Sequence, residues 1–450
     1  MSSDKVLQGA AVDTPAAMNK RPRKRLIGID AARGLALIGL MAIHILPNYD
    51  EETGDPTLVW QLFSGDSAAL FALLAGVGLA LSSGGRTPHR GRQMTGGRVS
   101  LVVRAALIAV VALVIASLMP QNGEPPAYSI LMYYAAFFLL AIPFLQLGPK
   151  ALFIGAAVFG IVSPLLLQQL PPVLPDWASY NPTVEHILAD PASVASQLLL
   201  TGTYPALPYM TYILAGLGLG RLDLRNTRVQ AAIAGLGAAL AILANTTSYV
   251  LLYAAGGYQA LLDTGMTEDG LDEAIVYGPE LVPDTSGWWL AIATPHANMP
   301  LAIAGSLGMA LLAAGLFLLI ANRAGRWLIP LAAMGAMTLT LYSVHLVALS
   351  FELHYYEPVL WFLAHLAAAV AFAWAWNHWI GQGPLEKIVS LAAKGTRRLV
   401  TGAPNSMKSP TSPHSGAPVR TSRGTIMYTD GEDHAGYTDQ PANDPDTTTR

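Results

Sequence analysis

The stretch RLIGIDAARGLALIGLMAIH, residues 25–44, is an apolar run long enough to cross a bilayer as one helix. It contains three ionisable residues, Asp30, Arg33 and His44, and each costs about 3 kcal/mol near the centre of a membrane helix. At about 100° per residue, Arg33 and His44 lie within roughly 20° of each other and ~16 Å apart along the axis, with Asp30 one turn before Arg33. Intramembrane ionisable residues usually face a protein interior and mark a functional path. This helix therefore predicts both a membrane fold and a line of polar chemistry inside it.

The composition places the whole chain among membrane proteins. Of its 450 residues, 53% are hydrophobic and only 12% are charged, whereas soluble domains carry about a quarter charged residues. The chain has no cysteine, which excludes disulfides, thiol catalysis and cysteine-ligated zinc. The polar N-terminal segment lacks the short apolar core and cleavage site of a signal peptide. We therefore expect the first helix to be retained as a span.

Further apolar segments predict an all-α, polytopic integral membrane helix bundle of about ten transmembrane helices. The predicted spans are 26–46, 62–82, 99–119, 128–147, 150–170, 205–221, 229–254, 299–320, 327–350 and 359–380. Every second loop carries Lys and Arg, and the intervening loops carry Asp and Glu but neither base. The positive-inside rule then places both termini in the cytoplasm. The predicted organisation is a disordered cytoplasmic N-terminus at 1–24, a membrane domain at 25–390 and a disordered cytoplasmic tail at 391–450, most biased in composition from about Thr401.

Candidate catalytic residues share one depth, near the ends of the spans that face away from the cytoplasm. His44 ends the first span, Asp66 begins the second, and His296 precedes the eighth in ATPHANMP. The ninth span, MGAMTLTLYSVHLVALSFELH, brings His345 to a similar level. Histidine suits proton transfer near neutral pH, and a carboxylate can orient it. We therefore predict a reaction centre at His44, assisted by Asp66, His296 and His345.

The same residues also have structural interpretations. Asp30 and Arg33 would form a buried ion pair that serves packing, with His44 at the interface. The tyrosines and threonines at the same depth (Tyr133, Tyr134, Thr338 and Tyr342) are more simply packing residues. Glu386, in the helix stop GQGPLE, is expected to pair with a basic neighbour. No local ligand spacing supports a zinc site, so no metal is expected.

A rim of arginines on the predicted cytoplasmic side forms a second candidate site. It contains Arg86, Arg90, Arg92, Arg98, Arg104, Arg221, Arg225, Arg323 and Arg326. Guanidinium groups match phosphate oxygens, so Arg86, Arg98 and Arg221 are candidates to bind a phosphate-rich cofactor. The alternative is that the rim carries the topology signal and contacts anionic lipid.

Several of these segments resemble known membrane enzymes. The pattern D-x-x-R-G followed by His44 resembles the first-span motif of the acyltransferase family 3 enzymes. The wider layout is similar to bacterial relatives of heparan-alpha-glucosaminide N-acetyltransferase, and the resemblance covers roughly residues 25–390. It is carried by RLIGIDAARG, SGDSAALFALLAGVGLAL, YMTYILAGLGLGRLDLR, ATPHANMP, MGAMTLTLYSVHLV and GPLE. In the N-acetyltransferase branch the catalytic histidine lies just before the second span, whereas PTLVWQLFSGDSAALF has none here. Either His44 takes that role or the chemistry differs.

The resemblance implies acyl transfer across the membrane. A cytoplasmic acyl-CoA, in the first instance acetyl-CoA, would dock at the arginines, with its pantetheine arm along Arg33 and Asp30 holding that arginine. His44 would deprotonate a hydroxyl or amine acceptor, or briefly carry the acyl group, while Asp66, His296 or His345 orients the base or the acceptor. The acceptor would be an extracytoplasmic small molecule or a glycan such as one of the cell envelope. The enzyme would be a multi-pass plasma-membrane protein with no nucleic-acid partner, and a homodimer is allowed.

Two other classes of function remain open. A transporter of a small or lipid-linked metabolite would also place charges inside spans, although no matched pair of broken spans is evident in the two halves of the chain. A non-catalytic relative would bind lipid or a partner without turnover. Binding and turnover of acyl-CoA, or solute flux without acyl transfer, distinguish these hypotheses.

Overall fold

A computed structural model describes residues 26–120, 123, 125–177, 179–279 and 282–402. In this part of the chain the secondary structure is helical, and the one β-bridge, Tyr49 with Pro56, is isolated. The seventeen α-helices are α1 (Ile27–Ile45), α2 (Leu58–Phe63), α3 (Asp66–Ser82), α4 (Gly91–Leu118), α5 (Leu131–Ala141), α6 (Pro149–Gln169), α7 (Val184–Ala189), α8 (Pro191–Ser196), α9 (Ala206–Leu219), α10 (Thr227–Tyr249), α11 (Gly257–Leu262), α12 (Glu268–Tyr277), α13 (Pro300–Ala324), α14 (Ile329–Gly335), α15 (Thr338–Leu349), α16 (Pro358–Trp379) and α17 (Pro384–Thr401).

Each of the ten predicted spans coincides with helix. Among the described residues, seven helical segments are long and apolar enough to cross a membrane, and the pair α14–α15 adds an eighth if it counts as one span. Two shorter apolar helices, Leu131–Gln146 and Ala206–Leu219, occupy the remaining predicted positions. The all-helical membrane fold is therefore confirmed, while the count of ten spans and the cytoplasmic placement of both ends stay predictions.

Small residues let α1 contact its neighbours backbone to backbone. A Cβ on Gly28 would lie 2.6 Å from the carbonyl oxygen of Phe317 in α13, and a Cβ on Gly34 would meet the carbonyl of Leu331 in α14. Gly335 of α14 approaches the carbonyl of Asp30 equally closely. Because lipid is as apolar as leucine, such close van der Waals packing is what holds membrane helices together. The first helix therefore lies at the centre of the bundle.

The ninth predicted span is broken. The structure bends the chain by 76° between α14 and α15, where one continuous span over 327–350 was predicted. Glu386 stabilises the new helix end, because its carboxylate accepts hydrogen bonds from the backbone N–H of Thr340 (3.1 Å) and from its hydroxyl (2.6 Å). The first-turn N–H groups of a helix lack intrahelical partners, and a carboxylate there also meets the positive end of the helix dipole. Within the described residues Glu386 forms no ion pair, so the expected pairing with a basic neighbour is wrong.

The chain continues as helix beyond the predicted end of the membrane domain. The helix α17 ends at Thr401, so the boundary predicted at 390 falls inside it. Residues 1–25 and 403–450, which hold the predicted disordered N-terminus and most of the predicted tail, lie outside the described residues.

Candidate functional site

The structure brings together two histidines from opposite parts of the chain. Nδ1 of His44, in the last turn of α1, lies 3.1 Å from Nε2 of His345 in α15. The two rings are within 4° of parallel, with centroids 5.4 Å apart. One imidazole must donate and the other accept in this contact, so the pair cannot hold both rings as imidazolium. His44 and His345, which were both predicted as site residues, are thus joined by a direct hydrogen bond.

Two further rings complete the layer around this pair. The Tyr342 ring lies one helical turn from His345 on α15, and its centroid is 6.3 Å from that of His44. His365 of α16 meets His345 edge-on at 5.5 Å. His365 Nδ1 lies 3.1 Å from the carbonyl oxygen of Trp361, and a carbonyl only accepts, so His365 donates from Nδ1.

A cavity of about 400 Å³ reaches this layer from the side of the arginines. We call it the arginine cavity. Its polar lining includes Arg33, Arg104, Tyr134, Tyr342 and Glu386, together with the N-terminal turn of α15. Arginine side chains favour an anion or a polarised carbonyl, whereas the N-terminal turn of α15 already holds the carboxylate of Glu386. This wall therefore suits a negatively charged or carbonyl-bearing ligand.

Arg33 and Tyr134 are the best-defined polar groups of the arginine cavity. The Arg33 guanidinium donates to Asp30 Oδ1 at 3.2 Å and to the carbonyl of Leu74 at 3.0 Å, as predicted for an arginine held by Asp30. A Cβ on Gly78 would lie 2.9 Å from its Nη2, so glycine leaves the room that the guanidinium needs. The buried Tyr134 hydroxyl has no hydrogen-bond partner within the described residues. A buried donor without a partner is costly, which favours a ligand group that would accept from it.

On the other side of the histidine pair lies a cavity of about 880 Å³, which we call the histidine cavity. His44, His296 and His354 line it. Its aromatic lining consists of Tyr49, Trp60, Tyr128, Trp177, Tyr180, Tyr204, Tyr277 and Tyr355. Tyr342 lines the arginine cavity and His44 lines the histidine cavity, so the linings of the two cavities meet at this layer of rings, where the two centroids are 6.3 Å apart.

His296 enters the histidine cavity from the loop before α13. Its backbone adopts φ +60°, a conformation that non-glycine residues rarely take and that is often found at functional sites. The ring packs edge-on against Tyr204, with centroids 5.5 Å apart. Burial lowers the pKa of His296 to about 4, so the imidazole is neutral at physiological pH. A neutral histidine can accept a proton or orient a polar ligand.

Asp66 does not join the histidines. It starts α3 after Gly65, which takes φ +71°, and its carboxyl lies near Ser306 of α13. It lines neither of the two cavities. A role for Asp66 in orienting His44 therefore receives no support from its position.

The predicted cofactor arginines separate into different environments. Arg221 is buried and donates to three backbone carbonyls, those of Ala80, Gly85 and Leu145, and to the hydroxyl of Ser83. These bonds tie the end of α3 and the loop after it to the segments that follow α9 and α5, and Arg221 lines neither cavity. Arg86 is exposed and pairs with Asp223 at 3.2 Å, and Arg98 is half-buried in α4.

Two further residues line the cavities, His354, which was not among the predicted site residues, and Arg104, which was predicted only as part of the arginine rim. Arg104, from the middle of α4, lines the arginine cavity with Arg33. His354 follows α15 and lines the histidine cavity, where burial lowers its pKa. Both could have been suspected from an ionisable side chain inside or beside an apolar segment, as for His44. Within the described part of the chain, no group of three or more His, Cys, Asp or Glu residues is arranged to hold a metal ion.

Comparison with known proteins gives one clear relation. The family described as heparan-alpha-glucosaminide N-acetyltransferase, catalytic, matches residues 25–253, just over half of the chain. The matched region contains Asp30, Arg33, His44 and Arg104, and it ends before α11. No curated protein matches the chain.

Proposed function

The chain belongs to the heparan-alpha-glucosaminide N-acetyltransferase catalytic family, a family of membrane acetyltransferases, and from this premise we propose that it transfers an acyl group, in the first instance acetyl, from cytoplasmic acyl-CoA to a hydroxyl or amine on the opposite side. The observation that carries the proposal is the His44–His345 hydrogen bond in the layer between the two cavities. A base at this position would meet a donor from one cavity and an acceptor from the other.

The arginine cavity is the proposed donor site. A volume of about 400 Å³ is that of a small-ligand pocket and accommodates the narrow acyl-pantetheine arm of acyl-CoA rather than the nucleotide. Arg33 and Arg104 would stabilise the thioester end, and the Tyr134 hydroxyl would find its acceptor there. The nucleotide phosphates would lie outside the cavity, at exposed or half-buried arginines such as Arg86 and Arg98. Acyl-CoA supplies an activated carbonyl whose carbon–sulfur bond breaks on transfer.

The histidine pair would move the proton that acyl transfer requires. With the proton of neutral His44 on Nδ1, that nitrogen donates to Nε2 of His345, and Nε2 of His44 is left as the base. Nε2 takes the proton from the acceptor O–H or N–H as the new bond to the acyl carbon forms. It then returns this proton to the departing thiolate, which leaves as a thiol. His345 acts as a positioning residue that stabilises the imidazolium. A brief acyl intermediate on His44 is the alternative route.

The histidine cavity is the proposed acceptor site. Its tyrosines and tryptophans offer flat apolar surfaces, and His296 and His354 offer neutral polar edges. This lining suits a small polar acceptor such as an amino sugar or a cell-envelope glycan. The proposal places the enzyme in the plasma membrane with its arginine end in the cytoplasm, as monomer or homodimer.

The test is turnover of radiolabelled acetyl-CoA by purified protein in liposomes, with free acetate and protein-bound label both followed. His44→Ala is expected to lower turnover by about 10²–10⁴-fold, whereas His378→Ala removes an exposed imidazole away from both cavities and serves as the matched control. Equal turnover by His44→Ala and the wild type would overturn the proposed mechanism. Protein-bound label that disappears in His44→Ala would identify the acyl-His44 route.

A transporter is the second candidate, and one observation favours it. Two cavities separated by a thin layer beside a broken helix, α14–α15, are also the geometry of an alternating-access pathway. Flux of a solute across liposomes without transfer of label would support transport. Label transfer without flux would exclude it.

A further inference from the structure

The helix α17 has a buried face and an exposed face of different character. It follows α16 after a turn in which Gly381 takes φ +93°. Its buried residues Val389, Ser390 and Ala393 face the bundle, and Val389 and Ser390 line the arginine cavity. The other end of α17 lies against the start of α4, where a Cβ on Gly96 would be 3.2 Å from Cγ of Arg397. One face of α17 is thus fully used by contacts within the protein.

The exposed face carries apolar and basic side chains in adjacent stripes. Ile388, Leu391 and Leu399 are 58%, 61% and 84% exposed. At about 100° per residue, these three lie within an arc of about 80°. Lys387, Lys394 and Arg398, which are also exposed, lie within about 40° of one another, beside the apolar stripe. An apolar stripe of this kind facing water would be unfavourable, and a flanking row of bases is typical of helices that lie in a membrane surface.

The position of α17 along the bundle matches the depth of a membrane surface. It begins five residues after Trp379, which ends the candidate span α16 and is 75% exposed. Exposed tryptophans at the ends of spans mark the interface between hydrocarbon and water. The start of α4, against which α17 packs, carries Arg90 and Arg92, so this end of the bundle is strongly basic. Apolar exposure, interfacial depth and positive charge coincide on one surface.

We propose that the exposed face of α17 binds the surface of an anionic membrane leaflet. Ile388, Leu391 and Leu399 insert at the boundary between headgroups and acyl chains. Lys387, Lys394 and Arg398 contact lipid phosphates and carboxylates, each base near an anionic surface strengthening the attachment. Because the opposite face of α17 borders the arginine cavity, the bound leaflet would hold one wall of the proposed donor site. This last consequence rests on the proposed function, whereas the membrane contact does not.

The experiment uses the absence of cysteine from the chain. Leu391→Cys introduces a single thiol for an environment-sensitive fluorophore on the full-length protein, in nanodiscs of phosphatidylcholine alone or of an equimolar mixture with phosphatidylglycerol. We expect blue-shifted emission, quenching by spin-labelled lipid chains, and iodide quenching that falls by about half or more in the anionic discs. The triple variant, which combines Lys387→Gln, Lys394→Gln and Arg398→Gln, should show a fluorophore response that no longer depends on anionic lipid.

A matched control removes the same charge elsewhere at the basic end. This control is a triple variant that changes three exposed bases on other helices, Lys150→Gln, Arg228→Gln and Arg323→Gln. It should leave the response to anionic lipid intact. Strong iodide quenching in both lipid compositions would overturn the proposal. So would a probe that is protected only in discs holding two copies, because a second copy would then cover the face. The readout is the position of α17, so its failure is distinct from a failure of acyl transfer.

Discussion

His44 Nδ1 and His345 Nε2 are 3.1 Å apart although 301 positions separate the two residues in the sequence. We propose that this short contact between the buried imidazole of His345 and the half-buried imidazole of His44 makes them one proton-handling unit. We therefore expect His44→Ala and His345→Ala each to lower turnover by about 10²–10⁴-fold. The turnover of the double variant should be only slightly lower than that of the less active single variant. Turnover measured on all three variants checks this. Losses that multiply would mean that the two rings act separately.

Arg33 is expected to bind the acyl donor. Arg33→Met removes a charged donor from the arginine cavity, and hydrogen bonds to charged groups contribute about 1.5–3 kcal/mol, so the KM for acetyl-CoA should rise roughly tenfold to hundredfold. Arg323→Met, at the exposed end of α13, is the matched loss of one arginine and should leave this KM unchanged. An unchanged KM in Arg33→Met would assign Arg33 to packing with Asp30.

Arg221 should behave in the opposite way. Arg221→Met leaves three buried carbonyls without their donor, which costs on the order of 2–4 kcal/mol of folding stability. Thermal unfolding in detergent should show a lowered midpoint, and the folded fraction should keep its affinity for acetyl-CoA. A stable variant with weakened acetyl-CoA binding would restore Arg221 to the donor site.

Acid is expected to destabilise the loop that holds His296. Its pKa falls from 6.5 to about 4 on folding because the ring is buried, so below pH 6.5 the unfolded chain binds a proton that the folded one does not. The contribution of His296 is complete above pH 6.5 and is lost progressively as the pH falls towards 4. Unfolding midpoints across this range should decline less steeply in His296→Gln than in the wild type. His378→Gln, which alters an exposed ring, should follow the wild type.

The crossing of α1 and α14 should tolerate no side chain at position 335. A Cβ on Gly335 would meet the carbonyl oxygen of Asp30 and come within 2.8 Å of the amide nitrogen of Gly34. Gly335→Ala should therefore lower stability by about 1–3 kcal/mol or more, since neither backbone can move away. Gly97→Ala, where the added Cβ has no neighbour within 4 Å, should be neutral or slightly stabilising. Equal unfolding midpoints for these variants would contradict the close crossing.

Hydropathy predicted the positions of the membrane helices because burial in lipid is a local property of each segment. It did not predict the 76° break between α14 and α15, since that helix end depends on Glu386, which lies 46 residues beyond Thr340. Nor did composition reveal α17. Its apolar and basic residues alternate, so the mean hydropathy of the segment is that of a polar tail. Contacts between distant segments decide both features.

The sequence predicted the level of the candidate site residues along the helices, but not which side chains contact one another at that level. His44, His296 and His345 each stand near the end of an apolar segment, so their common level could be inferred from sequence. Asp66 stands at a similar level but on the side of α3 that faces Ser306, and periodicity within one helix does not show which neighbour a face meets. For the same reason His354 was missed as a site residue, and Arg104, predicted only as part of the arginine rim, was not expected beside Arg33.

The carboxylate of Glu386 that caps α15 has a consequence for biogenesis. The helix that carries Tyr342 and His345 receives the partner for its first turn from a residue close to the end of the described chain. During synthesis, the first helix with His44 is finished long before this partner leaves the ribosome. The two histidines would therefore meet in their final geometry only after nearly all of the helical bundle has been inserted. The membrane insertion machinery would thus handle the nascent chain before this histidine pair is assembled.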